Sequence, residues 1–306
     1  MSVEMRVRIQ RVLTVILLLY LFLLSIKLLG HSFKLFGKGF AEATLQMTAD
    51  PWVGLITGIV ATSLMQSSST TTSIVVGMVA GGALTLPGAI PIIMGANIGT
   101  TVTNTLVSMG HVTRRGEFRR AFSAGTVHDF FNVCAVIVIF PIEMKFHVLA
   151  KAATALEHSF AGAGGLKLFN PLKFALNPVI GLIDSAFSAI PYYSIILMVV
   201  AILGTFAALV LIVRTIRSLV LDKLEVIVQR YLFRNDVLGF ILGIVLTVTV
   251  QSSSVTTSLI IPLAGAGIVT LRQIFPYTMS ANVGTTVTAL LAAMATQNHV
   301  AVTVAF

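Results

Sequence analysis

Charged side chains are scarce in this chain. Of its 306 residues only 10% are Asp, Glu, Lys or Arg, and 56% are hydrophobic, whereas soluble domains carry about 25% charged residues. So few charges cannot cover the protein with a water-compatible surface, which predicts an integral membrane protein. The net charge of +9 does not indicate nucleic-acid binding, because no basic stripe lies on a soluble module.

The sequence also lacks the features of a secreted protein. Its single cysteine, Cys134, excludes an internal disulfide and is expected to pack as a small hydrophobic residue. The apolar run 12–30 follows three arginines but shows no small-residue cleavage site, and it is about long enough to span a bilayer. We therefore predict a retained first transmembrane helix in the plasma or inner membrane, with the N-terminus cytoplasmic.

What the chain does contain is an internal repeat. Residues 54–103 align without a gap with residues 239–288, and 25 of the 50 pairs are identical. The identities concentrate on polar residues, including Gln-Ser-Ser-Ser at 66–69 and 251–254, while apolar positions drift. A duplicated polar cluster in apolar sequence indicates a transporter whose site lies between two repeats.

Five apolar stretches are predicted to span the membrane. The mixed segments 31–50 and 143–190 are typical of amphipathic or loop elements at the membrane surface, and 214–236 alternates charged and apolar residues as an interfacial cytoplasmic helix does. The predicted spans are 12–30, 86–109, 121–142, 192–213 and 273–295.

Residues 52–82 and 237–267 predict re-entrant helical hairpins. Each arm has about 12–15 residues, fewer than the roughly 20 that a span needs, and one straight helix of this length would reach about 46 Å. A polar tip near mid-membrane is tolerated where protein or a wet cavity surrounds it. The alternative is one long tilted helix with a polar belt.

Charge distribution predicts the orientation. If the N-terminus is inside and each hairpin returns to its own side, all 12 arginines become cytoplasmic, as the positive-inside rule requires. The first hairpin then enters from outside and the second from inside, so the repeats have inverted topology.

This predicts an all-α, polytopic membrane protein with three parts. Repeat 1 (1–142) has a transmembrane helix, hairpin, broken transmembrane helix and transmembrane helix. An extracellular or interfacial linker (143–190) follows. Repeat 2 (191–306) has a transmembrane helix, cytoplasmic interfacial helix, hairpin, broken transmembrane helix and truncated last helix.

The hairpin tips form the candidate anion site. If the serines open the returning helices, free N–H groups and positive dipole ends face the midplane and suit a phosphate-like anion. The alternative is that the hydroxyls bond carbonyls of their own helices. The predicted phosphate-binding residues are Ser67, Ser68, Ser69, Ser252, Ser253 and Ser254.

The motif Asn-Ile/Val-Gly-Thr-Thr, at 97–101 and 282–286, is the candidate cation site. Glycine and two threonines within a helix favour unwinding, and the freed carbonyls, hydroxyls and Asn carbonyl are hard oxygen ligands. Without a carboxylate, Na⁺ fits better than Ca²⁺. A glycine-mediated close helix contact is the alternative, and the two readings can coexist.

The lack of basic residues in these motifs also predicts that anion binding is coupled to cation binding. Neither motif contains Arg or Lys, and an anion at mid-membrane needs compensation that helix ends supply only fractionally. Bound cations must supply the rest, so sodium and anion would raise each other's affinity. Asp129 could hold a cation or pair with His128; alternatively, it is an interfacial residue near Arg120.

These residues resemble a known family. The paired Gln-Ser-Ser-Ser, the stretch 94–105 (MGANIGTTVTNT), and Glu-Phe-Arg-Arg-Ala-Phe at 117–122 running into Val-His-Asp at 127–129 resemble the type II sodium-dependent phosphate cotransporters, solute carrier family 34 and its bacterial relatives. The resemblance implies phosphate uptake driven by the inward sodium gradient, with no cofactor beyond the co-transported ion, and phosphate at the serine tips. The implied sodium ligands lie among Gln66, Asn97, Thr100, Thr101, Gln251, Asn282, Thr285 and Thr286.

Other functions remain open. The anion could be sulfate, arsenate or a carboxylate, because tetrahedral oxyanions look alike to hydroxyls. Re-entrant loops also build channels. A membrane enzyme would use Ser68 or Ser253, but no base accompanies either serine in sequence. Helices 12–30 and 192–213 would form the scaffold against which the site moves, and they could form a homodimer contact.

Overall fold

The fold is a set of α-helices whose ends follow local sequence signals. The computed structural model describes residues 3–162, 170–232, 235–296 and 298–306, and this described part contains no strand. The helices are α1 (Val3–Leu35), α2 (Lys38–Met47), α3 (Pro51–Met65), α4 (Ser68–Gly81), α5 (Leu86–Ser108), α6 (Arg115–Phe146), α7 (Val148–Gly162), α8 (Asn170–Phe187), α9 (Tyr193–Leu232), α10 (Asp236–Val250), α11 (Ser253–Ser258), α12 (Ile260–Gly265), α13 (Leu271–Thr296) and α14 (His299–Ala305).

Side-chain caps explain where the repeat helices begin. Asp50 accepts a hydrogen bond from the Trp52 N–H and precedes a proline at the first helical position of α3. Asn235 caps α10 and Thr85 caps α5. Such caps satisfy N–H groups that have no partner inside the helix.

Within the described residues, four helices are long and apolar enough to cross a membrane: Met5–Leu35, Leu86–His111, Arg115–Phe146 and Tyr193–Thr215. Their outer surfaces carry exposed apolar side chains such as Leu13, Ile137 and Leu203, which suit lipid. The chain is therefore a multi-pass membrane protein. The fifth predicted span lies in α13, which is not among these four because its many Ser, Thr and Asn residues lower its hydropathy.

Two predicted elements differ from the structure. The prediction of broken transmembrane helices is wrong, because α5 and α13 run without interruption through both Asn-x-Gly-Thr-Thr motifs. The threonine hydroxyls bond carbonyls of their own helix and leave the backbone ladder intact. In addition, the backbone of α9 continues through the charged stretch predicted as a separate interfacial helix.

Helix interruptions do occur at both Gln-Ser-Ser-Ser segments. Helix α3 ends at Met65 and α4 begins at Ser68; α10 ends at Val250 and α11 begins at Ser253. These breaks contradict the alternative of one continuous tilted helix. The second returning arm is divided again into α11 and α12 just before Pro262, which lacks the N–H that would bond back to the preceding turn.

The two repeats pack in equivalent ways and interlock. Helix α3 lies against α5, and α10 lies against α13. At these crossings a methyl group on Gly58 would lie 1.9 Å from the Ile92 carbonyl oxygen, and one on Gly243 would lie 2.3 Å from that of Tyr277. Helix α4 also packs against α13, and α11 against α5. The returning arm of each repeat therefore contacts the long helix of the other.

We predict that Gly58→Ala and Gly243→Ala each destabilise the protein by about 2 kcal/mol, because the methyl group meets backbone that cannot move away. Thermal unfolding in detergent would measure this. Gly181→Ala is the matched control: nothing lies within 4 Å of its added methyl, so alanine should leave stability unchanged or raise it by up to about 1 kcal/mol. Equal unfolding temperatures for all three variants would contradict the close-contact role.

Candidate functional site

A glutamine in the left-handed conformation makes each helix break. Gln66 has φ 53° and Gln251 has φ 59°, a region that costs a non-glycine residue about 1–2 kcal/mol. Gln66 Oε1 accepts a hydrogen bond from Thr103 Oγ1 at 2.8 Å, and Gln251 Oε1 accepts the same bond from Thr288 Oγ1 at 2.8 Å. Each side-chain amide also donates to a carbonyl three residues back. The glutamines thus hold the turns in place.

A serine caps each helix that follows a break. Ser67 Oγ accepts from the Thr70 N–H at 3.2 Å, and Ser252 Oγ accepts from the Val255 N–H at 3.3 Å. The next two serines in each copy begin the helix, so their N–H groups have no intrahelical acceptor. Both breaks therefore present N–H donors and the positive end of a helix dipole.

The two Gln-Ser-Ser-Ser segments contact each other. Ser69 Oγ donates to the Gln251 carbonyl at 3.4 Å. Ser68 and Ser253 are buried, with 3% and 2% of their surface exposed, and their hydroxyls make no hydrogen bond to any described residue. No lysine or arginine is hydrogen-bonded to either segment among the described residues. The contact zone therefore offers buried donors without a fixed positive charge.

The predicted cation motif lies in the intact helices α5 and α13. Thr100 and Thr285 donate to carbonyls four residues back, at 2.9 and 3.1 Å, and Thr101 and Thr286 donate to carbonyls three residues back, at 2.7 Å each. A methyl group on Gly99 would lie 2.6 Å from the Ile59 carbonyl oxygen, which favours the close-packing interpretation of this glycine.

A set of buried side chains, here called the polar relay, joins the two repeats. Asn132 Nδ2 donates to the Asn97 carbonyl at 2.9 Å, and Asn282 Nδ2 donates to Asn132 Oδ1 at 2.7 Å. His128 Nε2 lies 2.9 Å from Asn282 Oδ1, and its Nδ1 lies 3.4 Å from Asn104 Nδ2. At the far end, Thr257 Oγ1 lies 2.9 Å from Asn104 Oδ1. The relay consists of Thr257, Asn104, His128, Asn282, Asn132 and the Asn97 carbonyl.

Asp129 lies beside the relay on α6. Thr105 Oγ1 donates to its Oδ2 at 3.3 Å, and its Oδ1 is buried without a hydrogen-bond partner among the described residues. Neither oxygen pairs with the neighbouring His128, whose ring nitrogens face two amides. This geometry does not support the predicted Asp129–His128 pair and leaves one carboxylate oxygen available.

A cavity of about 260 Å³ reaches one side of these helices. Four of the predicted sodium ligands line it: Asn97, Asn282, Thr285 and Thr286. Helices α7 and α14 supply apolar wall residues such as Leu156 and Val304. None of the six predicted serines lines this cavity. Part of the cation motif thus borders a cavity, whereas Ser68, Ser69, Ser253 and Ser254 are buried.

The repeated breaks and motifs match a known family model. The model described as Na⁺/Pi-cotransporter matches residues 21–169 and 185–306, in two stretches that each contain one copy of the repeat. The chain belongs to the Na⁺/Pi-cotransporter family. This is a family of transporters and not of enzymes.

Individual relatives agree with this family assignment. The chain is 30% identical to Sodium-dependent phosphate transport protein 2B of Homo sapiens over an aligned length of 372 residues. The alignment covers 92% of this chain and 54% of that protein. It is 32% identical to Sodium-dependent phosphate transport protein 2A of Ovis aries over an aligned length of 351 residues. That alignment covers 90% of this chain and 55% of the sheep protein. The chain thus spans about half the length of the curated relatives it matches. No solved structure matches it significantly.

Several residues of the site were not predicted as functional. Thr103 and Thr288 are identical between the repeat copies, so the repeat itself contained the signal for their equivalent bonds to the glutamines. Asn104, by contrast, aligns with an alanine. Nothing in the repeat marked it as part of a connection between the two halves.

We predict that Thr288→Val lowers the free energy of unfolding by about 1–2 kcal/mol, because it leaves the Gln251 Oε1 acceptor unpaired. Thr249→Val is the matched control, since this hydroxyl bonds a carbonyl of its own helix on an exposed surface. Thermal unfolding in detergent would compare the two. A control as destabilised as Thr288→Val would show that the tie to glutamine contributes nothing specific.

Proposed function

We propose that this chain is a secondary active transporter that carries inorganic phosphate into the cell together with sodium. Two buried serines, Ser68 and Ser253, carry the proposal: they begin helices at equivalent breaks, and their hydroxyls bond none of the described residues. The printed names of the relatives, sodium-dependent phosphate transport proteins, support the choice of phosphate and sodium for this chain.

The anion would lie between the two Gln-Ser-Ser-Ser segments. Hydroxyls of Ser68 and Ser253, with N–H groups at the helix starts, supply donors of the kind that bind phosphate oxygens. The contact between Ser69 and the Gln251 carbonyl brings the donors of both repeats to one place. Ser67 and Ser252 cap the helices, so we assign them a structural contribution and place Ser254 with Ser69 at the contact.

Sodium would bind to the oxygen atoms next to this anion site. Asn97 and Asn282 reach the cavity, and Asp129 Oδ1 is buried without a hydrogen-bond partner among the described residues. Gln66 and Gln251 orient their carbonyl oxygens toward threonines of the long helices. Thr100, Thr101, Thr285 and Thr286 donate their protons to carbonyls, which leaves hydroxyl lone pairs for a cation. Because the anion has no basic partner, bound sodium supplies the compensating charge, and each ligand strengthens the binding of the other.

We further propose that the two repeats have inverted topology in the plasma or inner membrane. The arginine distribution supports a cytoplasmic N-terminus, and the short arms on either side of each break support re-entrant hairpins. Alternating access would move the site-bearing helices against α1 and α9, whose exposed apolar faces also suit contact with a second copy. The linker 143–190, which contains α7 and α8, would lie outside.

The same donors would accept another tetrahedral oxyanion, so substrate competition is part of the test. Purified protein is reconstituted in liposomes, and uptake of labelled phosphate is measured with and without an inward sodium gradient. Sulfate, arsenate and a carboxylate are added as competitors. Uptake that continued at full rate without sodium, or single-channel currents, would contradict the proposed symport.

We predict that Ser68→Ala and Ser253→Ala each reduce sodium-driven phosphate uptake to background, because each removes a donor that water cannot replace in a buried site. Ser185→Ala is the matched control, since this exposed serine bonds only its own helix, and its uptake should equal that of the wild type. Detergent unfolding curves would verify that both site variants are folded. Full uptake by either site variant would remove its serine from the anion site.

A further inference from the structure

The hydrogen-bond directions in the polar relay are fixed from one end. The Asn97 carbonyl can only accept, so Asn132 must offer its Nδ2 there and its Oδ1 to Asn282. Asn282 then uses its Nδ2 toward Asn132 and presents Oδ1 to His128. The His128 Nε2 therefore carries a proton and donates to Asn282 Oδ1 at 2.9 Å.

The other ring nitrogen continues the same direction. His128 is fully buried, with 0% of its surface exposed, and burial of an unpaired charge is costly, so the ring is neutral and Nδ1 has no proton. Asn104 Nδ2 donates to it, and Asn104 Oδ1 accepts from Thr257. The His128 ring thus connects α11, the helix after the second break, with the Asn-x-Gly-Thr-Thr motifs of both repeats.

The relay holds the Asn282 side chain of the second motif copy through two hydrogen bonds. The Asn97 side chain lines the cavity and makes no hydrogen bond to the described residues. The Asn282 side chain lines the same cavity but is held at both ends by α6. An amide oxygen has two lone pairs, and His128 occupies only one of those on Asn282.

We propose that His128 is a positioning residue for sodium binding. By donating to Asn282 Oδ1 it fixes the orientation of this amide, so that the second lone pair of the oxygen faces the ion. This proposal rests on the proposed sodium-coupled function and specifies how one ligand is held. It also explains why a buried histidine lies between two asparagines of opposite repeats.

Two conservative substitutions of His128 each preserve only one of the two hydrogen bonds of its ring, the bond to Asn282 or the bond to Asn104. A glutamine at position 128 reaches as far as Nε2 and can still donate to Asn282, whereas an asparagine reaches only as far as Nδ1 and can accept from Asn104 alone. We expect His128→Gln to keep the sodium concentration for half-maximal phosphate uptake within about twofold of the wild type. We expect His128→Asn to raise it about fivefold, the size typical of one lost hydrogen bond, and to leave the phosphate KM at saturating sodium unchanged.

The matched controls are His158→Gln and His158→Asn. The His158 side chain is 77% exposed and pairs with Glu157, which is not a residue of the polar relay. Both should behave as the wild type. Equal sodium dependence of His128→Gln and His128→Asn, whether both normal or both impaired, would overturn the proposal and reduce the ring to a packing role.

Two further measurements do not depend on transport. Sodium should raise the unfolding temperature of wild-type protein and of His128→Gln more than that of His128→Asn, because binding to the folded state stabilises it. Histidine ¹⁵N spectra of the wild type, with the His128 signal assigned by its loss in His128→Gln, should show the neutral ring protonated at Nε2. A neutral ring protonated at Nδ1 would overturn the proposal even if His128→Asn did not fold.

The two hypotheses fail in different ways. If wild-type protein takes up phosphate without sodium, the proposed function is wrong. If wild-type uptake requires sodium but the two His128 variants do not differ, the proposed function stands and only the role of His128 is wrong.

Discussion

The hydrogen bond from a threonine on a long helix to a left-handed glutamine, made once in each repeat, is the interaction on which the rest of this structure depends. A non-glycine residue enters that backbone region at a cost of about 1–2 kcal/mol, and two buried hydrogen bonds per side chain of about 1 kcal/mol each are enough to offset it. With the glutamines fixed, one helix ends at each of Gln66 and Gln251, the serines begin new helices, and these helices, α4 and α11, contact the long helix of the opposite repeat.

Close helix packing supports these turns. At Gly58 and Gly243 the neighbouring carbonyl lies where a side chain would be, so α3 and α10 lie directly on α5 and α13. The threonines that hold the glutamines are on those same long helices. A wider separation of these helices would carry the Thr103 and Thr288 hydroxyls out of hydrogen-bonding reach of the glutamines. The geometry of the site therefore depends on the close packing at Gly58 and Gly243, several residues away.

The repeats are equivalent at the breaks. The serine caps, glutamine turns and glycine contacts recur 185 residues apart, and the polar relay adds His128 and Asn132 of α6, which join the two repeats. Under the proposed function the anion would require cations nearby, and the relay would hold Asn282 as one of their oxygen ligands.

The sequence by itself determined the membrane class, the gapless repeat, the two interruptions at Gln-Ser-Ser-Ser and the family resemblance, because each of these depends on composition or on local backbone preference. It did not determine that α5 and α13 stay helical through Asn-x-Gly-Thr-Thr, since glycine and threonine permit unwinding locally, whereas in the structure both glycines pack closely against α3 and α10. Nor could it show that Asn282 bonds His128, because these residues are 154 positions apart and belong to different repeats. Tertiary structure decided which polar groups are used up by the protein and which remain for ligands, because hydrogen bonds between distant segments form only when the helices that carry them are packed together.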